Sequence, residues 1–121
     1  MTRTLFSNVM IFDGSGSDRF PGEVLVHGDK IEAVARGDER LPRDGADEIN
    51  GEGRTLMPGL IDGHAHLTWP TSVERVINSM APMPIEKHVL VTAQNARITI
   101  DHGFTSAYSA GSLGERIEPA L

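Results

Sequence analysis

The chain has 121 residues, 17 acidic and 11 basic side chains and a formal net charge of −6, which argues against a general nucleic-acid or anionic-membrane binder, because phosphate contacts need clustered Lys and Arg. It contains no cysteine, so disulfides and thiolate metal sites are excluded. No stretch approaches the roughly 20 apolar residues of a membrane span, and Ser7 and Asp13 interrupt the apolar start; a soluble, cytoplasmic protein of about one small domain is expected.

Before Pro58 the sequence is a series of short β-like runs separated by glycine and charge. Leu5 to Phe12, Glu23 to Val26 and Lys30 to Ala35 are predicted strands, with a weaker piece around Arg54 to Met57. Val24 and Val26 alternate with Leu25 and His27, and Ile31 and Ala33 flank Glu32, the pattern of strands with one face better buried than the other. His27-Gly28-Asp29-Lys30 supplies Gly and Asp for a tight turn, so Val24 to Ala35 is expected to form a hairpin. Gly14 to Ser17 is read as a turn, being too short for a phosphate loop and lacking its lysine. The segment RGDERLPRDG, Arg36 to Gly45, is charged, broken by Pro42, and expected to be a solvated loop without function.

After Pro58 the period changes. Leu60 to Thr68 is a predicted strand. Thr71-Ser72-Val73-Glu74 then fits a capping box, and Val73, Val76, Ile77 and Met80 follow helical spacing until Pro82 and Pro84 end the pattern. A second helix is predicted over Ile85 to His102, with Ile85, Val89, Ala93, Ala96 and Ile100 as its apolar stripe and Gly103 as its stop. Phe104 to Tyr108 is a further strand, running into small residues from Ser109 to Gly111. Strand, helix, strand in that order is a βαβ unit, whose two strands are normally parallel.

Within PGLIDGHAHL, residues 58–67, alternation along a strand puts Asp62, His64 and His66 on one face and Gly63 and Ala65 on the other. The two imidazoles are then about 7 Å apart by strand rise, close enough to converge on one ion, and neutral imidazole is a common ligand of zinc and similar divalent metals. By spacing alone the plainer reading is two polar core histidines held by backbone or carboxylate partners, since the pattern is short and a catalytic metal usually takes three protein ligands. Of the other histidines, His27 in a turn and His88 on a helix are expected to be exposed. His102 falls in a last helical turn, where a partly positive imidazole suits the helix dipole. There is no serine or cysteine nucleophile motif of the elbow type.

The stretch GRTLMPGLIDGHAHL, preceded by the glycine-punctuated β segment and followed by DHGFTSAYSAG, resembles the amidohydrolase superfamily of metal-dependent hydrolases over nearly all of the chain. The resemblance implies an α/β fold: the N-terminal part of a β-sandwich domain over residues 1–57, then the first strands and helices of a (β/α)8 barrel over residues 58–121, with PGLIDGHAHL as the first barrel strand. Gly103-Phe104-Thr105-Ser106 looks like the glycine-phenylalanine-threonine-threonine entry to the second barrel strand. Many relatives in the imidazolonepropionase and prolidase-like branch continue with an arginine-aspartate pair. Tyr108 and Ser109 stand near that place here, which leaves subgroup and substrate open.

The same resemblance implies that His64 and His66 are metal ligands and that Asp62 is a hydrogen-bonding partner behind them. The cofactor implied is a divalent metal, zinc foremost, as one ion or two. Such an ion polarises a carbonyl and lowers the pKa of bound water toward 7, which suits hydrolysis of an amide, peptide-like or other C–N bond, or of an ester. Trp69, just after the histidine pair, and Tyr108, near the end of the second strand, are the candidate substrate-binding residues, because barrel enzymes build their sites at that end of their strands. The family's remaining groups, a bridging Lys or Glu, two further histidines and a proton-handling Asp, come from later strands. A complete barrel takes about 250 residues, so the remainder is expected in the same or a companion chain, with this piece inactive by itself and the assembly a homo-oligomer acting on a small amide, dipeptide or ester. The alternative is a non-catalytic β-rich binding or assembly module derived from an amidohydrolase.

Overall fold

The computed structural model describes residues 2–69 and 84–113. They fall in two compact units, Met1–Pro58 and Gly59–Leu121. The helix predicted over residues 71–80 lies outside the described residues.

The first unit is one five-stranded sheet built from β1 (Arg3–Ile11), β2 (Phe20–His27), β3 (Lys30–Arg36), β4 (Ala46–Asn50) and β5 (Thr55–Leu56). The order is β3-β2-β1-β4, with β5 also on β1. β1 and β2 are antiparallel, as are β2 and β3, while β4 and β5 run parallel to β1. The predicted hairpin forms: His27 pairs with Lys30 across a turn in which Gly28 has φ +61°, the left-handed conformation that glycine adopts without strain.

β1 is bulged between Phe6 and Val9, and this lets it serve two partners. Its first half pairs with β4 and its last residues with β5. Asn8, at the bulge, has φ +51°, which Asn tolerates better than most residues. Its side chain donates to Asn50 Oδ1 at 3.0 Å, and its carbonyl accepts the N–H of Gly53 at 2.8 Å.

Val9, Ile11 and Val24 form the core on one face of this sheet, with Phe6, Phe20, Val26 and Leu56 packed against them. The opposite face is buried as well, contrary to the one-sided pattern read from the sequence: Leu5, Ser7, Glu23, Leu25 and Ala35 are all buried. The charged segment of residues 36–45 explains part of this and is more than a solvated loop. Arg40 Nη1 (3.1 Å), Arg43 Nη2 (2.7 Å) and the N–H of Leu41 (2.9 Å) all donate to the Glu23 carboxylate, whose side chain is 0% exposed. Sequence periodicity misses this because a buried glutamate reads as polar.

In the second unit, β6 (Leu60–Ala65) and β7 (Phe104–Ser109) pair in parallel, and helix α1 (Ile85–Asp101) lies between them in sequence. This is the predicted βαβ order. Among the described residues this second sheet has two strands, and a barrel is not shown. β6 stops earlier than predicted, at Ala65, and the chain turns at once, with the N–H of Trp69 on the carbonyl of His66 at 3.0 Å. α1 ends as predicted: His102 caps it and Gly103 follows with φ +89°.

The packed side of α1 differs from the predicted stripe. Ile85 and Ile100 are 58% and 62% exposed and Val89 is 43% exposed, while His88 and Thr92 are buried and Asn95 and Thr99 half-buried. The expectation that His88 is exposed is therefore overturned. Two causes combine. A sheet of two strands covers only a narrow strip of a 17-residue helix, and the threonines on that strip satisfy their hydroxyls within the helix, Thr92 on the carbonyl of His88 (2.7 Å) and Thr99 on that of Asn95 (2.8 Å), so their burial strands no donor. No helix among the described residues is long and apolar enough to cross a membrane.

Candidate metal centre

β6 carries Asp62 and His64, and His66 follows one residue beyond its end. Strand alternation, together with the turn that begins at His66, brings the two imidazoles to 5.1 Å between ring centroids, with their planes at 78°. Histidine needs one nitrogen free and its tautomer fixed to bind a metal well, and a hydrogen bond from the other nitrogen does the fixing. His66 meets this condition. Its Nδ1 lies 3.0 Å from the carbonyl of Gly111, and because a carbonyl only accepts, Nδ1 carries a proton, so that in the neutral ring Nε2 presents its lone pair. The sequence reading missed Gly111, since a main-chain acceptor has no side-chain signature. The available signal was the run of small residues closing the second strand, which ends in a glycine with φ +143°.

One face of the His66 ring is covered by Trp69, stacked at 4.1 Å between centroids and 24° between planes. Trp69 thus touches the predicted ligand directly. Its indole Nε1 is buried without a hydrogen-bond partner among the described residues. Its backbone is held from α1, where the Asn95 amide donates to the carbonyls of Leu67 (2.7 Å) and Trp69 (2.8 Å). Thr68, fully buried between them, accepts the N–H of Leu113 at 2.9 Å. Asn95 and Thr68 were not among the residues singled out from the sequence.

Asp62 Oδ1 accepts the backbone N–H of His64 at 3.0 Å, so it braces the main chain leading into His64 instead of standing behind an imidazole. It also borders a cleft of about 340 Å³ with His66, Trp69, Asn95 and Thr99. Tyr108, the other candidate for substrate contact, is 73% exposed on β7 and does not line that cleft. His27 is exposed in its turn, and the His102 ring donates through Nδ1 to the carbonyl of Ile98 at 2.8 Å, closing the last turn of α1.

Two imidazoles, one with its tautomer set, fit a divalent ion as part of a ligand set. No group of three or more His, Asp or Glu side chains that could hold an ion occurs among the described residues.

No family model matches the chain. A dihydroorotase of Streptomyces coelicolor is 34% identical over 70 residues, which are 58% of this chain and 14% of that protein. Among solved structures, an amidohydrolase superposes with a TM-score of 0.78 at 29% identity, over 99% of this chain and 28% of its own. A prolidase crystallised with N-methylphosphonate-L-proline superposes with a TM-score of 0.66 at 26% identity, over 91% of this chain and 26% of its own. A Xaa-Pro dipeptidase with methionine in its active site shares the fold, with a TM-score of 0.78 at 23% identity over 99% of this chain and 29% of its own. By motif and by fold, the chain is similar to solved members of the amidohydrolase superfamily, and it spans about a quarter of their length.

Proposed function

We propose that this chain supplies His64 and His66 as two ligands of a divalent metal, zinc foremost, in a hydrolase that cleaves an amide or peptide-like C–N bond. The observation that carries the reading is the Nδ1–H of His66 on the Gly111 carbonyl, which leaves Nε2 as the free donor beside the neighbouring His64 ring. A cation there supplies Lewis acidity and activates water near neutral pH. The chain's own residues position the pair: Gly111 fixes one ring, Trp69 shields its face, and Asp62 braces the backbone at His64. The remaining ligands, any bridging group and the proton-handling acid belong, on this reading, to later strands of a (β/α)8 barrel outside these residues, consistent with the chain spanning 28% of the amidohydrolase it matches. The peptide-like substrate class is supported by the matched prolidase.

The test uses the protein that contains this chain. His64→Ala and His66→Ala should each lower bound metal and turnover of a dipeptide or amide panel together, by at least tenfold. Variants that keep both would overturn the reading.

A further inference from the structure

We infer that Asn95 is a positioning residue for the metal site: from α1 it holds the turn after β6 so that Trp69 stacks on His66 and fixes the plane of that ring. The inference rests on the metal-ligand reading of His66.

His66 lies outside β6, where no ladder partner constrains its backbone. Its ring meets the Gly111 carbonyl on Nδ1, the Trp69 indole on its face and the edge-on His64 ring. The second contact is only as firm as the backbone of residues 67–69. That backbone is tied by the N–H of Trp69 on the carbonyl of His66 and by the Asn95 amide, whose nitrogen lies 2.7 Å from one carbonyl and 2.8 Å from another. An NH2 group has two hydrogens, and both are used, so the amide closes a fork between the carbonyls on either side of Thr68. The chemistry also settles which way the amide faces, because its oxygen against two carbonyl oxygens would leave three acceptors together. Aspartate at 95 would create that arrangement with a charge added. Asparagine is a mediocre helix former, and on the packed side of α1 an apolar residue would bury more surface, so the fork accounts for the choice of residue.

Trp69 is the chain's single tryptophan, which gives a direct signal. In the protein containing this chain, wild type, Asn95→Asp, Asn95→Ser and Thr92→Val are stripped of metal and titrated with zinc against a competing chelator. The emission of Trp69 is isolated by subtracting a Trp69→Phe sample. Asn95→Asp should weaken zinc binding about tenfold and shift Trp69 emission to the red, with Asn95→Ser intermediate. Thr92→Val, at a buried site on the same side of the helix whose hydroxyl is satisfied on the His88 carbonyl, should leave both unchanged. If Asn95→Asp does not fold, Asn95→Ser carries the test. Unchanged zinc affinity and emission in the Asn95 variants, while His66→Ala loses zinc, overturn the positioning role and leave the metal reading standing. If His66→Ala itself binds zinc as wild type does, the metal reading falls and this inference with it. Equal losses in Thr92→Val and Asn95→Asp would trace the effect to general loosening of α1 and also overturn the role.

Discussion

The side chain of Thr105, on β7, fills the space into which residue 59 would project a Cβ, and residue 59 is glycine. The N–H of Leu60 reaches the carbonyl of Gly103 at 2.8 Å, and Leu60 pairs with Phe104. The glycine of PGLIDGHAHL and the threonine of GFTS therefore meet at the start of one parallel ladder, which ties the two sequence motifs into a single packing unit. The neighbour is a branched carbon close to the backbone, not the far end of a flexible chain, so it has little room to yield. Gly59→Ala should cost about 2 to 3 kcal/mol through overpacking. Thr105→Gly removes the obstruction, and the double variant should lose less than the sum of the singles in urea titrations. Strict additivity would show that the backbone relaxes elsewhere.

Glu23 makes stability pH-dependent. Burial pushes its carboxyl up, but the N–H of Leu41 and the guanidinium groups of Arg43 and Arg40 together more than offset that, and its pKa lies below the ordinary carboxylate value. A group whose folded pKa is depressed stabilises fully above its unfolded pKa, about 4.3 for glutamate, and loses that contribution as the pH falls through the folded value. The melting temperature should therefore drop below about pH 4.3. Glu23→Gln should be less stable at pH 7 by about 2 kcal/mol and should show a flatter acid limb. Arg43→Met, which strips the buried carboxylate of its 2.7 Å partner, should cost about 3 kcal/mol. Parallel acid limbs in wild type and Glu23→Gln would assign the transition to other carboxylates.

The sequence showed most elements because apolar alternation and glycine punctuation marked them: β1, the β2–β3 hairpin, β6, α1 and β7. It did not show β4, whose residues ADEIN are mostly polar and almost all exposed, Ile49 included; this strand is held by its backbone ladder to β1 and buries almost nothing for a pattern to register. The packed side of α1 was misread for a related reason. Periodicity finds where apolar residues align, and Ile85, Val89 and Ile100 do align, but among the described residues His88, Thr92 and Asn95 lie on the covered side. At the site, His64 and His66 were legible from the motif. Gly111 and Asn95 were not, because both act through main-chain carbonyls, one as acceptor and the other as donor to two of them.

His88 is buried, and its Nδ1 has no hydrogen-bond partner among the described residues. A buried polar atom left unpaired costs about 1 to 3 kcal/mol. His88→Leu, close in volume and without the orphan nitrogen, should raise stability by about 1 kcal/mol and leave zinc affinity unchanged, which separates this histidine from the metal pair. Thermal melts and the chelator titration measure the two effects. Destabilisation with lost zinc would mean that His88 serves the site after all.

Gly111 gives the sharpest separation of backbone conformation from ligand chemistry. Its φ of +143° is one that side chains rarely adopt, yet a Cβ there would approach the His66 ring no closer than 3.8 Å, an ordinary contact. Space therefore does not forbid alanine; the backbone does. Gly111→Ala either holds this conformation at about 1 to 3 kcal/mol of strain or relaxes it by swinging the carbonyl away from His66 Nδ1. In the second case the imidazole is free to exchange tautomers, so Nε2 is occupied by a proton part of the time and zinc affinity falls about tenfold. Nitrogen-resolved NMR of the metal-free protein distinguishes the two, because the Nδ1–H form of His66 should dominate in wild type and give way to a mixture in the variant. A retained Nδ1–H form with unchanged zinc affinity and lowered stability would mean that the strain is carried locally. A wild-type ring protonated at Nε2 would remove the Gly111 carbonyl as its anchor, and with it the observation on which the metal reading rests.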